Sequence, residues 1–188
     1  MFCSFELMKL RINEDIKIWD AKSSDIEFMN EILLESSFAG RDIYEWEDYV
    51  YYPGMPINLS DFPQKNEFGF IAEDSFGKCY GAAWIRTIPH MDIIGHYITP
   101  ELTMGVLEKY RGCGIGKGLL HSLQIKAKES RISKIRLSVH KHNEIALGLY
   151  LKFGWKQIAE SNVAIFVPQL LQKDAPCGIL APQFGHSA

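Results

Sequence analysis

Residues 110–120 read Tyr110-Arg111-Gly112-Cys113-Gly114-Ile115-Gly116-Lys117-Gly118-Leu119-Leu120, with glycine at 112, 114, 116 and 118. The chemistry that suits this pattern is anion binding. Glycine lets the backbone turn sharply and lets another group approach closely. An apolar-periodic run follows at once, and a helix starting there brings unpaired N–H groups and the positive end of its dipole. Phosphate oxygens are the ligands such an arrangement takes. Cys113 lies inside the loop near Arg111 and Lys117. It reads either as a thiol made acidic by those cations and the helix terminus, or as a small side chain filling a tight loop. His140 and His142 have His-x-His spacing, but no third ligand accompanies them, and they read as spectators. Cys3, Cys79, Cys113 and Cys177 are scattered without a CxxC pair, which gives neither a zinc site nor a disulfide framework. No metal is expected.

The elements that must position the loop follow from periodicity and punctuation. Ile16 to Trp19 alternates as a short strand, and Ser23-Ser24-Asp25 offers N-caps for a helix carrying Ile26, Met29, Ile32 and Leu33, stopping near Gly40. Asp42 to Tyr52 is aromatic-rich and suits a helix, and Pro53-Gly54-Met55-Pro56 ends it. A polar, turn-rich connection spans Asn58 to Glu67. Phe68 to Glu73 and Cys79 to Arg86 read as a hairpin around Asp74-Ser75-Phe76-Gly77-Lys78. Gly81-Ala82-Ala83 keeps the return strand small for close packing against a helix. Pro89 to Pro100, with His90, Asp92 and His96, reads as a loop, and Glu101 to Val106 as a strand leading into the glycines. Ile115, Leu119, Leu123 and Ala127 recur at fourfold spacing, giving an amphipathic helix to about Ser130. Lys134 to Val139 alternates as a strand. Asn143 caps a short helix that Gly154 closes, and Trp155 to Ile158 and Val163 to Val167 are strands.

Composition narrows the partners. At 188 residues, with 47% hydrophobic and 23% charged positions, the chain suits one domain with a substantial core. Twenty basic against 23 acidic residues leave a net charge of −3. No basic excess calls for nucleic acid or an anionic membrane, and no apolar stretch is long enough to span a bilayer. The first residues lack the apolar run of a signal peptide, and Met8 could serve as a start as well as Met1. With the cysteine pattern, a reducing cytoplasm is the expected location.

Strand, glycine loop, helix, strand is a pattern shared by several nucleotide sites, and two of them fail here. The dinucleotide fingerprint would need a third glycine at Leu119 and an acidic residue where Ser138-Val139-His140 stands. The P-loop would need Gly-Lys-Ser/Thr to close the loop. What stands is Arg-x-x-Gly-x-Gly at Arg111, Gly114 and Gly116. Here the chain resembles the GNAT superfamily of N-acetyltransferases, whose acyl-CoA signature is Gln/Arg-x-x-Gly-x-Gly/Ala. Asn143 to Trp155 is similar to the family's second block, Asn-x-x-Ala-x-x-Leu-Tyr-x-x-x-Gly-Phe, with Trp155 replacing the final Phe. Met104-Gly105-Val106 ends the preceding strand as the family's fourth strand does. The likeness runs from about Ile16 to Val167.

The resemblance implies an α/β GNAT fold over residues 14–168: a mixed, mostly antiparallel twisted sheet of six to seven strands with helices on both faces. Residues 1–13 and 169–188 would be an N-terminal extension and a C-terminal tail. It implies acetyl-CoA as donor, with the backbone N–H groups of Gly112, Cys113, Gly114, Ile115, Gly116 and Lys117 around the pyrophosphate and charge from Arg111 and Lys117. Met104, Gly105 and Val106 would bond the pantetheine arm as a mock strand, where the sheet splays between its fourth and fifth strands. Val106 or its neighbour would supply the N–H that polarises the thioester. Tyr150 would protonate the leaving thiolate, its alternative being a core aromatic. Glu101 would be the base that deprotonates an amine, its alternative a solvated strand-end carboxylate. Asn143 is an N-cap whose amide can also reach the pantetheine. His90, Asp92 and His96 would roof the acceptor pocket. The Tyr44 to Tyr52 cluster, with Glu45, Glu47 and Asp48, would pack the acceptor helix and line part of the pocket. The expected reaction is direct acetyl transfer to a small-molecule amine or a peptide, a catalytically weak acyl-CoA sensor being the alternative. Homodimers are common in the family.

Overall fold

The computed structural model describes residues 16–37, 59, 61–92, 95–160 and 163–168. The expected extension, the aromatic Asp42 to Tyr52 segment, the stop near Gly40 and the tail lie outside the described residues. Strand β1 (Lys17–Asp20) leads through a 3-10 turn at Ser23–Asp25 into α1 (Ile26–Ser37). The serines do not cap this helix. Instead the Asp25 carboxylate accepts from the Lys22 N–H at 2.7 Å. The hairpin strands β2 (Phe68–Glu73) and β3 (Cys79–Asp92) and then β4 (Gly95–Val106) follow. After the glycine loop come α2 (Ile115–Glu129), β5 (Leu137–His140), α3 (Glu144–Lys152), β6 (Trp155–Glu160) and β7 (Val163–Pro168). Among the described residues no helix is long and apolar enough to cross a membrane.

The seven strands form two sheets, β1-β2-β3-β4 and β5-β7-β6, with every strand pair antiparallel. Alternation divides the core between their faces. On one face of the first sheet Ile71, Ala82 and Trp84 bury against Met29, Ile32 and Leu33 of α1. On the other, Phe70, Ala72, Ala83 and Ile85 pack with Ile115, Leu119, Leu120 and Leu123 of α2, in a cluster that extends to Leu137 and Val139 of β5 and Tyr150 of α3. The fourfold apolar spacing of α2 is thus the stripe it buries. At Gly81 the small residue is required: a Cβ there would lie 3.3 Å from Leu119 Cδ1 and 2.8 Å from the Gly105 oxygen.

One expectation is corrected. Pro89 to Pro100 is not a loop: β3 and β4 run in continuous register from Gly81↔Val106 to Asp92↔Gly95. Proline is tolerated in a strand where its missing N–H is not needed by the ladder. Here Leu102 N donates to the Arg136 oxygen and Pro100 O accepts from Arg136 N, both at 2.8 Å, so the backbone groups of even β4 residues face β5. Thr87↔Pro100 and Pro89↔Ile98 are therefore non-hydrogen-bonded pairs of the β3–β4 ladder. Pro89 turns its nitrogen towards the β2 side, beyond the last β2 pair at Phe68↔Ile85. Neither proline removes a ladder bond.

Candidate active site

The glycine loop begins where β4 ends. Leu107 N donates to Tyr80 O, and a 3-10 turn over Glu108–Tyr110 reverses the chain. Gly112 has φ +78° and Gly114, the N-cap of α2, has φ +93°, left-handed values that disfavour any side chain. The helical ladder starts with Gly118 N donating to Gly114 O at 3.1 Å, which leaves the N–H groups of Ile115, Gly116 and Lys117 without acceptors inside the helix. No side chain caps that terminus. The loop therefore presents free donors at the positive end of a 15-residue helix. Lys117 is exposed beside it. Cys113 points its thiol at the Arg111 oxygen, 3.6 Å away, in keeping with the loop-filling reading. Arg111 does not lie over the donors. Its Nε donates to Val106 O and its Nη2 pairs with Glu35 Oε1 of α1, each at 3.0 Å.

Between the sheets there is a fork. Glu101 of β4 and Arg136, the residue just before β5, make a parallel bridge, and beyond it no backbone bond joins β4 to β5 among the described residues. The parity that places Leu102 N towards β5 also turns Met104 N–H, Met104 C=O and Val106 N–H into the opening. Gly105 turns its backbone to Ala82 of β3. A Cβ on Gly105 would lie 2.9 Å from Ile32 Cγ2, so glycine lets α1 rest directly on the strand. The side chains of Met104 and Val106 face Gly116, where an added methyl would meet Met104 Cε at 3.5 Å and Leu149 Cδ2 at 3.7 Å. One end of the fork is thus the bridge, and the other opens to the glycine loop and α3.

Glu101 stands at the closed end. Its side chain lies on the α1 face, and burial pushes its carboxyl up to about 7, against the lowering effects of the Arg136 charge and a hydrogen bond with Ser138. Directly across on β3, Arg86 is buried and bonded to Glu67 Oε1 at 3.1 Å and Asp61 Oδ1 at 2.8 Å. Glu67 also accepts from Thr87 N and Gln64 N, which locks residues 61–67 onto the same face. Tyr150 belongs to the cluster on the opposite face, with its ring 5.9 Å from that of Trp155. Burial raises its hydroxyl pKa far above the usual phenol range. Asn143 Oδ1 accepts from Ala146 N at 3.1 Å, capping α3 as expected, and Gly154 follows that helix at φ +78°. His140 accepts from His142 N at 3.4 Å, and its pKa is lowered by burial and by the neighbouring His142 and Lys141. No group of three metal-ligating side chains occurs among the described residues.

The fold brings Glu101, Met104 to Val106 and the Gly112 to Lys117 donors along one strand and its loop. Tyr150 of α3 lies in the core cluster against which Met104 and Val106 pack, and Asn143 caps the same helix. The side chains of His90, Asp92 and His96 lie outside the described residues. Sequence reasoning missed Ser138, Arg136, Arg86 and Glu67. Ser138 did carry a signal, as the polar position alternating with buried Leu137 and Val139. Glu67 and Arg86 carried none, because their pairing is non-local.

Comparison with known proteins gives the family and the fold. The family model described as acetyltransferase (GNAT) family matches residues 26–155. No curated relative matches the chain by sequence. Among solved structures it is similar to the PaiA N-acetyltransferase from Thermoplasma acidophilum in complex with coenzyme A: TM-score 0.59, 22% identity, 81% of this chain and 98% of that one covered. A GNAT-family acetyltransferase from Staphylococcus aureus gives 0.58 at 17% identity, over 81% and 98% of the two chains. A spermidine N-acetyltransferase SpeG chimera from Vibrio cholerae and hSSAT gives 0.54 at 17% identity, over 82% and 95%. At such identities these likenesses speak for the fold.

Proposed function

The chain belongs to the acetyltransferase (GNAT) family, and on that premise we propose that it is an N-acetyltransferase, moving an acetyl group from acetyl-CoA to a primary amine by direct attack in a ternary complex. The observation that carries the reading is the fork between β4 and β5, with free helix-terminal donors at its open end and a near-neutral carboxyl at its closed end.

The donor set fits acetyl-CoA. Successive N–H groups from Gly112 to Lys117, with the Lys117 ammonium, suit a diphosphate. The unpaired Met104 edge offers both an N–H and a C=O to an amide-bearing arm. When bound, acetyl-CoA supplies the thioester that activates the acetyl group. The Met104 and Val106 N–H groups are donors for negative charge developing on the acyl oxygen. Glu101, with a carboxyl near 7, exists in both protonation states at neutral pH, so its oxygen can take the amine proton and release it again. Tyr150 keeps its proton at any working pH and serves as acid towards the departing sulfur. Cys113, bonded within its own loop, has no part in the transfer, and no acyl-enzyme is expected.

The acceptor is a small amine or the amine of a peptide. Two of the structural neighbours described above are named for N-acetyl transfer, one of them to spermidine. The test is calorimetry with acetyl-CoA, followed by an acceptor screen of amines and peptides that reads release of the CoA thiol. Binding and acceptor-dependent thiol release are expected. Binding of ATP or NAD without acetyl-CoA would refute the reading, and a thiol burst in the absence of acceptor would refute direct attack.

A further inference from the structure

The glycine loop is held from the β2–β3 hairpin. Between Gly112 and Lys117 no backbone N–H donates to a backbone acceptor among the described residues, and a Cβ on Gly112 would meet nothing within 4 Å. The course of the loop is therefore set by what holds its ends. One end is α2; the other is Tyr110, whose N–H closes the preceding turn on Leu107 O at 2.8 Å. The partner of Tyr110 comes from a bulge. Ala72 pairs with Gly81 and Glu73 with Cys79, so Tyr80 is the extra residue on β3. Cys79 packs with the α1 cluster, whereas Tyr80 is buried in the α2 cluster, the side on which Gly81 faces Leu119. Without the bulge, alternation would send Tyr80 to the α1 face. As it stands, its ring meets that of Tyr110 edge to face, with centroids 4.6 Å apart, and its hydroxyl donates to Asp74 Oδ2 at 2.7 Å. Asp74 Oδ1 accepts from the Phe76 and Lys78 N–H groups at 2.9 and 3.0 Å, which shapes the turn that carries Lys78. The Lys78 ammonium lies 5.3 Å from the Tyr80 ring centroid and 5.0 Å from that of Tyr110, and it donates to the Tyr110 hydroxyl at 2.7 Å.

We propose that Tyr110 is a positioning residue for the diphosphate-binding loop, clamped by Tyr80 and Lys78 so that the Gly112 to Lys117 N–H groups are in place before acetyl-CoA arrives. The proposal rests on the reading of that loop as the acetyl-CoA site. Lys78 is exposed, so its hydrogen bond alone contributes little. The buried Tyr80 ring gives the clamp a fixed base, and an edge-to-face pair with a cation at its rim restrains Tyr110 in more than one direction. The next residue, Arg111, reaches Val106 O and Glu35 of α1. The two residues that open the loop are thus fastened to opposite faces of the first sheet. A loop restrained in this way loses less freedom when its ligand binds, so the clamp acts on affinity rather than on the chemical step.

Substitutions at Tyr110 and Lys78 separate this from a merely structural role. The readouts are acetyl-CoA affinity by calorimetry, steady-state kinetics, and the amide NMR signals of Gly112 and Gly114 in the ligand-free protein. Tyr110→Leu keeps an apolar side chain but removes the ring and the hydroxyl, and should weaken acetyl-CoA binding about tenfold. Tyr110→Phe and Lys78→Met should each weaken it about threefold, and about threefold when combined, because both cut the same hydrogen bond. The loss should appear in KM for acetyl-CoA, with kcat at saturation within about twofold of wild type. Lys78→Arg, which keeps a donor and a cation, should restore affinity. The Gly112 and Gly114 amide signals should shift in Tyr110→Leu and Lys78→Met without any ligand. Lys78→Met, at an exposed position, keeps the test valid where Tyr110→Leu impairs folding. Affinity unmoved by these variants, or amide signals that stay in place, overturns the proposal. Losses that multiply to about tenfold in the combined variant overturn it as well, since Lys78 would then act on the ligand itself. A wild type that does not bind acetyl-CoA, while the amide signals still move in the variants, overturns the assignment of the loop and leaves the clamp standing, so the two failures are told apart.

Discussion

Replacing Glu101 by glutamine should make the protein more stable above neutral pH while removing its activity. Burial raises the carboxyl from an ordinary 4.5 to about 7 because the charged form loses more solvation than Arg136 and Ser138 return. Between those two values the folded state binds more protons than the unfolded chain, so stability is full below the lower value and is lost as pH rises through the upper one. The carboxylate then costs the fold about 3 kcal/mol at pH 8. Glutamine has nearly the same shape, can still accept from Ser138, and carries no charge to desolvate. Urea unfolding of Glu101→Gln and wild type at about pH 4, 6 and 8 should give curves that coincide at the lowest pH and separate progressively. At the highest, the midpoints should differ by about 1–2 M with equal slopes. Over the same series kcat of the variant should fall by about 10²–10⁴. A stability difference that is the same at every pH, or absent at pH 8, would refute the argument that burial sets this group's charge.

Other residues can be tested in the same way. Tyr150→Phe should lower kcat by about 10²-fold or more with KM for acetyl-CoA almost unchanged, as steady-state kinetics would read it; an unchanged kcat removes Tyr150 from its role. Gly114→Ala places a side chain at φ +93° and should destabilise the fold by about 1–3 kcal/mol in urea. Gly116→Ala, whose methyl meets only ordinary contacts of 3.5–3.7 Å, should leave stability alone and weaken acetyl-CoA binding by calorimetry. Glu67→Ala removes the buried carboxylate that Arg86 pairs with and should cost about 3–5 kcal/mol by thermal or urea unfolding, far more than a surface ion pair would.

The glycine loop and α2 were legible in the sequence because their determinants are local. Glycines mark left-handed turns where they stand, and a fourfold apolar spacing specifies a buried stripe without reference to any partner. Asn143 and Gly154 announced the ends of α3 for the same reason. The β3–β4 hairpin was harder. Pro89 and Pro100 break a strand or leave it intact according to which way each nitrogen faces, and that depends on where β2 stops and where β5 joins. Arg111 shows the same limit at the level of one side chain. Its place in the motif suggested phosphate, but Glu35, far away in sequence, and the Val106 carbonyl take the guanidinium.

What the strands add is parity, and one parity assignment settles most of the site. The bonds between Arg136 and the backbone of Pro100 and Leu102 fix even β4 residues as facing β5. From that alone, Pro100 is harmless, Met104 and Val106 turn their N–H groups into the fork, and Gly105 spends its backbone on β3 and meets α1 at close quarters. The same step puts the Glu101 side chain on the α1 face with Ser138, opposite the cluster that holds Tyr150. A slip of one residue would exchange every one of these roles at once. The proposed donor-binding edge, oxyanion donors and base are therefore not independent features of the chain. They stand or fall with the two hydrogen bonds at Arg136, and the chemistry proposed for the fork stands or falls with them.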